Sequence, residues 1–567
     1  MTKKSILIPF ASFALVAALT SCSSKLGMLG ADNFTVTPNP LEAHAGMVPS
    51  TINGTFPEKY MKKKAQVTVT PVLRWNGGEA KGNPATFQGE KVKGNNQTIS
   101  YVIGGSYTMR ASYPYQEGMQ RSDLYLTFNA QVGNKVVNIP DVQIATGVIS
   151  TSELVKETLK SATGSIAKDA FQRIIQAKQE ATIQFLLGQA NLRASELNSN
   201  NVKEFIAKLK EIKDNGETNK LNNIEVSAYA SPDGKYNFNE KLAGKREQNS
   251  TKYVKDNLKK NQQETDVDTK YTAEDWEGFQ ELVAQSNIQD KDLIIRVLSM
   301  YSDPEERERE IKNISVVYGD LAETVLPKLR RARLTANYEI IGRSDEQITA
   351  QFKSDASKLS LEEILYAATL TDDAAQKEAI YKKAAQLYSK DARAFNNLAT
   401  LAYQAGDLNK ANDYLSQALK INSSLAEANA NCGLVALAKG DKQSAAQYLS
   451  KGAGAEGLNE AMSALYITQG QYAQAAAIAK GSNSNTAALA QILNKDYTAA
   501  SSTLAGIKNA NAMTYYLKAI QSARTGNASD VTTNLKKAVA ADPSLRTKAI
   551  NDLEFLNCPN AVSNALN

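Results

Sequence analysis

The chain has 567 residues, 42% of them hydrophobic, and a formal net charge of +6, a length that suggests about three to four domains. Its single histidine, His44, rules out a multi-histidine metal site, and its place in a Pro-rich, polar stretch before the first convincing strand argues against a Ser-His-Asp triad. The weak, dispersed charge has none of the clustered Lys and Arg with interleaved aromatics of a nucleic-acid-binding surface. No nucleophile elbow, phosphate loop or metal-spaced cysteine pair occurs, so the residues point to neither an enzyme nor a cofactor.

Lys3 and Lys4 precede an apolar run from Ile6 to Leu19. The run is shorter than the roughly 20 residues a bilayer crossing needs and has the length of a signal peptide. It ends in Leu19-Thr20-Ser21-Cys22, followed by the small, polar spacer Ser23-Ser24-Lys25-Leu26-Gly27. This end resembles the lipobox of bacterial lipoproteins. The resemblance implies removal of residues 1–21, acylation of Cys22 by chains such as palmitate, and a lipidated tether over 22–32. Losing Lys3 and Lys4 with the leader takes the charge from +6 to +4. No Asp follows Cys22 directly and no acidic cluster follows it, so the expected location is the outer membrane, lipid-anchored on its periplasmic face. Cys432 and Cys558, the other two cysteines, stand in helical apolar contexts. They read as buried free thiols, with a mutual disulfide as the alternative.

Residues 33–149 read as all-β. Val67 and Val69 alternate with Thr68 and Thr70, and Leu124, Leu126 and Phe128 alternate with Tyr125 and Thr127. Gly77-Gly78, Gly94-Asn95-Asn96, Gly104-Gly105 and Gly133-Asn134 punctuate the runs at hairpin spacing, which predicts a small β-sandwich of immunoglobulin-like type. Tyr107, Tyr113 and Tyr115 are expected to pack within it rather than form a contact patch. Over 150–176 the pattern of Leu154, Thr158, Leu159, Ile166, Ala170, Ile174 and Ile175 predicts a helical connector.

Ile224, Val226 and Ala228 alternate as a half-buried strand, Ser231-Pro232-Asp233-Gly234 has the composition of a β-turn, and a helix follows. On that helix Asn239, Leu242 and Arg246 share one face. Gly234, Asn239, Leu242 and Arg246 match the spacing of the OmpA-like peptidoglycan-binding family, and Ala181–Leu187 followed by Ala190-Asn191-Leu192 resembles that family's first strand and its approach to the first helix. The resemblance covers 177–342. It implies that Arg246 holds a carboxylate of the diaminopimelate in the peptide stem. The family's turn aspartate, which holds the ligand's ammonium, is replaced here by Ser231, and Asp233 two residues on is the candidate substitute. A helical insertion is expected at about 264–333, marked by Trp276, Phe279, Leu282 and Val283 and by Leu293, Ile294, Val297 and Leu298. Arg330, Arg331 and Arg333 read as the solvated, cation-rich end of its last helix, and 343–360 as a linker.

In the last two hundred residues Gly406 and Gly440, Ala411 and Ala445, Leu415 and Leu449, and Leu398 and Cys432 are each 34 apart. A 34-residue period resembles tetratricopeptide repeats, of which roughly five or six pairs fit in 361–567. Weaker copies start at Gly470, near Tyr497 and at Gly526. First-helix positions Arg393, Asn396, Asn397, Thr400, Tyr403, Glu427, Asn429 and Asn431 are the candidate groove. Asn397 and Asn431 lie one period apart, and side-chain amides there suit an extended peptide backbone.

The expectation is a multidomain α+β chain: an immunoglobulin-like β-sandwich, an OmpA-like α/β module with a helical insertion, and an all-α tetratricopeptide solenoid. It implies a non-enzymatic lipoprotein that ties a membrane or membrane complex to peptidoglycan and recruits protein partners through its repeats, with no nucleic acid. The alternative is an accessory subunit of an outer-membrane secretion, uptake or fimbrial complex whose OmpA-like module no longer binds cell wall. A cell-wall hydrolase built on paired carboxylates is the enzymatic alternative.

Overall fold

The structure, a computed structural model, describes residues 26–289, 291–313 and 315–566. The leader and Cys22 lie outside the described residues, as do the side chains of Val297 and Leu298. The chain forms two compact units, Met1–Lys168 with Asp372–Asn567, and Asp169–Thr371.

The first unit begins with two packed sheets. β1 (Phe34–Thr37), β2 (Leu41–Glu42), β3 (Met47–Phe56), β4 (Ala65–Trp75), β5 (Gly78–Lys81), β6 (Ala85–Gly89), β7 (Gln97–Ile99), β8 (Gly105–Pro114), β9 (Ser122–Val132), β10 (Lys135–Val137), β11 (Val142–Thr146) and β12 (Val148–Ile149) follow in order. One sheet runs β1-β3-β8. The other runs β10-β9-β4-β6-β7, with β11 on β9 and β5 on β4. The inward rows, Ile52 and Phe56 from one sheet and Val67, Val69, Leu124 and Leu126 from the other, share one core with Tyr107 and Tyr113. The long strands β3, β4, β8 and β9 each bury one face, which is why the alternation was legible.

The expected helical connector is helical only at its start. A 3-10 turn over Thr151–Leu154 leads into α1 (Val155–Leu159). Residues 160–173 hold no helix, and Ile174 already opens a strand. Gly164 and Ala170 both adopt positive φ, a conformation that breaks the helical periodicity their neighbours suggest.

The second unit is a four-stranded sheet of β13 (Ile174–Gln184), β14 (Asn219–Tyr229), β15 (Asp266–Thr272) and β16 (Arg331–Ile341), in the order β13-β16-β14-β15. β14 and β15 are parallel; the other pairs are antiparallel. Short α2 (Ala194–Leu197) precedes α3 (Asn200–Asp214), and the long α4 (Tyr236–Lys260) connects the parallel strands. Phe205 and Leu209 of α3 and Val254 and Leu258 of α4 close over Ile183, Val226, Ala228 and Leu334.

The insertion is shorter than expected. Residues 266–272 belong to the sheet, and the inserted helices are α5 (Trp276–Gln285), α6 (Lys291–Met300), α7 (Pro304–Asn313), α8 (Ser315–Thr324) and α9 (Leu326–Leu329). Phe279, Val283, Ile294, Leu321, Val325 and Leu329 give this group a core of its own. The expected linker at 343–360 is instead structured by α10 (Asp345–Asp355), followed by α11 (Leu361–Ala367) in the same unit. Both helices start at a reciprocal cap, Ser344 with Gln347 and Ser360 with Glu363. Ser-x-x-Gln and Ser-x-x-Glu are the sequence signals that would have found them.

The first unit resumes with α12 (Ala374–Leu387), then α13 (Arg393–Gln404) with α14 (Leu408–Ile421), α15 (Ala426–Ala438) with α16 (Lys442–Leu449), α17 (Leu458–Thr468) with α18 (Tyr472–Ile478), α19 (Asn485–Leu493) with α20 (Tyr497–Gly506), and α21 (Ala512–Arg524) with α22 (Ala528–Ala541). Short α23 (Leu545–Asn551) and α24 (Pro559–Leu566) close a tetratricopeptide-like stack. Each hairpin turns on one residue with positive φ: Gly406, Gly440, Gly470, Lys495 and Gly526. The residue after the turn caps the second helix in four of the five hairpins, through Asp407, Asp441, Asp496 and Asn527. Lys495 stands where the others have glycine, which is why that copy was faint in the sequence.

Candidate functional site

In the second unit, the turn after β14 delivers Ser231, Asp233 and Gly234 to the start of α4. Asn239 Nδ2 donates to the carbonyls of Ser231 (3.0 Å) and Gly234 (2.9 Å) and so locks the turn to the helix. The Ser231 hydroxyl donates to Asp233 Oδ1 at 2.5 Å. Arg330 Nη2 donates to Asp233 Oδ2 at 3.0 Å, with both side chains only 13% exposed. Leu242 is buried.

Arg246, one turn further along α4, is 1% exposed. Its guanidinium donates from Nε to the Gln189 carbonyl (2.9 Å), from Nη1 to that of Tyr229 (2.9 Å) and from Nη2 to that of Leu186 (3.2 Å). The fork thus spans the end of β14 and the 186–190 segment, and Asn249 Nδ2 adds a bond to the Ala190 carbonyl. Burial and, next, the neighbouring Arg330 charge lower the Arg246 pKa to about 10 against the pull of Asp233. It stays protonated at neutral pH, a buried cation satisfied by backbone dipoles.

The sequence singled out these residues, and the structure brings Ser231, Asp233, Gly234, Asn239 and Arg246 together. Their polar groups face one another and the backbone. The residue that sequence reasoning undervalued is Arg330. It and Arg331, read as a solvated helix end, instead form ion pairs with Asp233 and Asp275, the latter at 3.0 Å. Asp275 also caps α5 through the Gly278 N–H, yet burial leaves its carboxyl raised.

In the first unit, the groove of the repeats is filled by the chain's own segment 155–168. Leu154, Val155, Leu159 and Ala162 belong to the core of the repeats. Beyond α1 the backbone is read by side chains in succession. The Tyr403 hydroxyl donates to the Leu159 carbonyl (2.6 Å), and Gln404 Nε2 to that of Thr163 (2.7 Å). Asn431 accepts from the Ser165 N–H (2.7 Å) and donates to its carbonyl (2.8 Å), which also accepts from Asn396 Nδ2 and the Thr400 hydroxyl. Asn397 does the same for Ala167, at 2.8 and 3.1 Å. Arg393 Nη1 reaches the Lys168 carbonyl at 3.5 Å and pairs with Asp391.

The candidate groove is thus occupied by a segment of this same chain, whose Ser165 and Ala167 peptide groups pair with its amides. Asn429 takes no part in this: its amide donates to the carbonyls of Ser423 and Leu425 at the start of its own helix. Gly164 sits tight against the groove, since a Cβ there would lie 3.0 Å from Thr400 Cγ2 and 3.2 Å from Asn431 Oδ1.

Further along, Thr158 meets Thr486 (3.1 Å). The 3-10 turn contributes Ser152, which donates to the Ala43 carbonyl (2.9 Å), and Thr151, which donates to Glu554. Glu554 in turn pairs with Arg524 (2.5 Å), and Asp552 beside it accepts from the Tyr516 hydroxyl (2.7 Å). His44 stacks edge-on against Tyr472 with ring centroids 5.0 Å apart. The sandwich, connector and repeats are thus one interlocked body. Cys432 and Cys558 are both free thiols, and burial pushes Cys432 up to about 12. Among the described residues no cluster of His, Cys, Asp and Glu could hold a metal ion, and no helix is long and apolar enough to cross a membrane.

No protein-family model matches the chain, and no curated protein matches it. Among solved structures, a tetratricopeptide repeat protein from Parabacteroides merdae ATCC 43184 is 15% identical with a TM-score of 0.29, over 39% of this chain and 91% of that one. The APC/C hetero-tetramer Cut9-Hcn1 is 13% identical with a TM-score of 0.30, over 39% of this chain and 45% of that one. Yeast Tom70 is 9% identical with a TM-score of 0.25, over 56% and 74%. Likenesses this distant identify no function, and the repeat character of this chain stands on its own 34-residue period and stacked helical hairpins.

Proposed function

We propose that this protein is a non-enzymatic, lipid-anchored scaffold on the periplasmic face of the outer membrane, which carries protein partners on its repeats as an accessory subunit of a larger membrane assembly. The observation that carries this reading is the closure of both candidate sites by the chain itself. Arg246 donates from each of its three nitrogens to a backbone carbonyl, and the groove amides of Asn397 and Asn431 pair with Ala167 and Ser165. Side chains spent in this way build a rigid adaptor. Partners then engage the outer faces of the repeats rather than the occupied stretch of groove. The kinship of the sandwich with immunoglobulin-like domains and of the middle unit with OmpA-like domains belongs to the same reading.

A second reading, the wall tether, is favoured by the Asp233–Arg330 pair. Diaminopimelate carries an ammonium and a carboxylate on one carbon, and such a zwitterion could exchange with the pair, ammonium to Asp233 and carboxylate to Arg330. Arg246 would then act as the support of the turn rather than as the ligand's partner. Co-sedimentation of the protein from residue 23 onward with purified diaminopimelate-type peptidoglycan separates the two readings. The adaptor reading expects no sedimentation with wall. Binding that Asp233→Asn and Arg330→Ala each abolish would replace it with the tether.

A further inference from the structure

One end of the sandwich gathers most of its exposed cations. β3 ends at Phe56 and β8 begins opposite it at Gly105. β4 begins at Ala65 opposite Val132 of β9. The segments 57–64, 90–96, 100–104 and 133–135 therefore converge on the same end. They are stitched together there: the Lys59 N–H bonds the Tyr101 carbonyl (2.7 Å), the Lys91 N–H the Lys63 carbonyl (2.7 Å), and the Gly133 N–H the Lys64 carbonyl (3.0 Å). Lys62 lies over the Tyr101 ring at 5.4 Å.

These segments carry Lys59, Lys62, Lys63, Lys64, Lys91, Lys93 and Lys135. The nearby carboxylates are Asp32, Glu58 and Glu90. Glu58 is engaged by Lys59 at 3.6 Å, and Glu90 accepts from the Ser100 hydroxyl and the Tyr101 N–H. Three apolar side chains stand out among the lysines: Val102 at 65%, Ile103 at 82% and Val136 at 83% exposure. Ammonium groups and protruding aliphatic tips spread over one end of the sandwich match an anionic bilayer surface, where charge attracts and a few side chains enter the headgroup layer.

The position of the chain's start agrees. Leu26 and Leu29 are buried in the sandwich core, and a Cβ on Gly27 would lie 3.4 Å from the Tyr60 ring, within the 57–64 segment. β1 then leaves this end, with Phe34 opposite Gly54 and Thr37 opposite Thr51. Cys22 is four residues before Leu26, so a lipid there holds this end, and not the far one, against the bilayer. The repeats meet the sandwich at its opposite end, through Ala43, His44 and the turn after β12. The eleven residues of β4 put roughly 35 Å between the two ends.

We propose that this lysine-rich end rests on the anionic phospholipid surface of the membrane that holds the anchor, with Val102, Ile103 and Val136 seated among the headgroups. The proposal rests on the lipid-anchor reading only for which bilayer it is.

The test uses protein from residue 23 onward, without lipid, mixed with vesicles of phosphatidylglycerol and phosphatidylcholine or of phosphatidylcholine alone. Binding to the anionic vesicles is expected, falling with salt. Lys63→Glu/Lys64→Glu/Lys135→Glu is expected to weaken it at least tenfold, Ile103→Asp several-fold, and a remote change such as Lys536→Glu not at all. Equal behaviour on both vesicles, wild-type binding by the triple variant, or indifference to Ile103→Asp would overturn the proposal. The anchor is read separately, by loss of labelled palmitate in the full chain on Cys22→Ala, so that either reading can fail without the other.

Discussion

Asn431 and Ser165 exchange two hydrogen bonds, Ser165 N–H to Oδ1 at 2.7 Å and Nδ2 to the Ser165 carbonyl at 2.8 Å. One repeat earlier, Asn397 makes the same pair with Ala167. A step of one repeat therefore matches a step of two residues along an extended chain, about 6.6 Å. The first helices of two successive hairpins, α13 and α15, thus read alternate residues of one strap. Replacing Asn397 or Asn431 by Ala strands buried backbone groups, at about 1–3 kcal/mol each. Hydrogen exchange should show the Ser165 and Ala167 amides losing protection in the double variant well before the helices do. Unchanged protection would mean that the amides are not what holds the strap.

Arg246→Ala is expected to fail as a clean probe of ligand binding. It removes the donors to three carbonyls and a large buried side chain, which should cost about 3 kcal/mol or more. Arg246→Lys should recover little, because one ammonium cannot span the three directions of the fork. Denaturant unfolding of the second unit, followed by circular dichroism, measures both. An Arg246→Ala midpoint equal to wild type would show the guanidinium to be free for a ligand.

Asp552 gives the repeats a pH dependence of unusual sign. Burial first, and the nearby Glu554 charge second, raise its carboxyl from 3.8 to about 6, outweighing the bonds it accepts from Glu554 N–H and Tyr516. The folded state thus holds a proton that the unfolded state has lost. The group's stabilisation is complete below about pH 4, falls as the pH rises to about 6, and is flat beyond. The difference is on the order of 2–3 kcal/mol. Thermal unfolding between pH 4.5 and 7.5 should show Asp552→Asn gaining on wild type as the pH rises, and parallel curves would refute the assignment.

Lys495 occupies φ +64° at the fourth hairpin turn, where the other four hairpins have glycine. A left-handed lysine costs roughly 1 kcal/mol relative to glycine, part of which glycine returns through its freer unfolded chain. Lys495→Gly is expected to raise stability by about 0.5 kcal/mol, read as a shift in the denaturant midpoint without a change in slope.

What could be read in advance follows the range of the interaction that each feature depends on. The alternation of Val67 and Val69 and of Leu124 and Leu126 was visible because a strand with one buried face repeats every two residues. The 34-residue period was visible because every hairpin repeats the same packing. The caps at Ser344 and Ser360 are written in four-residue words within a polar stretch that resembles a linker. The fourth hairpin was obscured by Lys495, and the connector's apolar spacing imitated a helix although Ile166, Ile174 and Ile175 stand exposed on non-helical backbone beyond the left-handed Gly164.

The sequence by itself determined the elements that local chemistry specifies: the strand and repeat periods, the Ser-Pro-Asp-Gly turn and the helix carrying Asn239, Leu242 and Arg246. Only the tertiary structure decided what the polar residues on those elements bind. Arg330 lies 97 residues from the Asp233 it neutralises, and Asn431 lies 266 residues from the Ser165 it grips. A buried amide or guanidinium must find partners wherever folding leaves open backbone groups. No pattern local to Arg246 or Asn431 records that the chain itself supplies them.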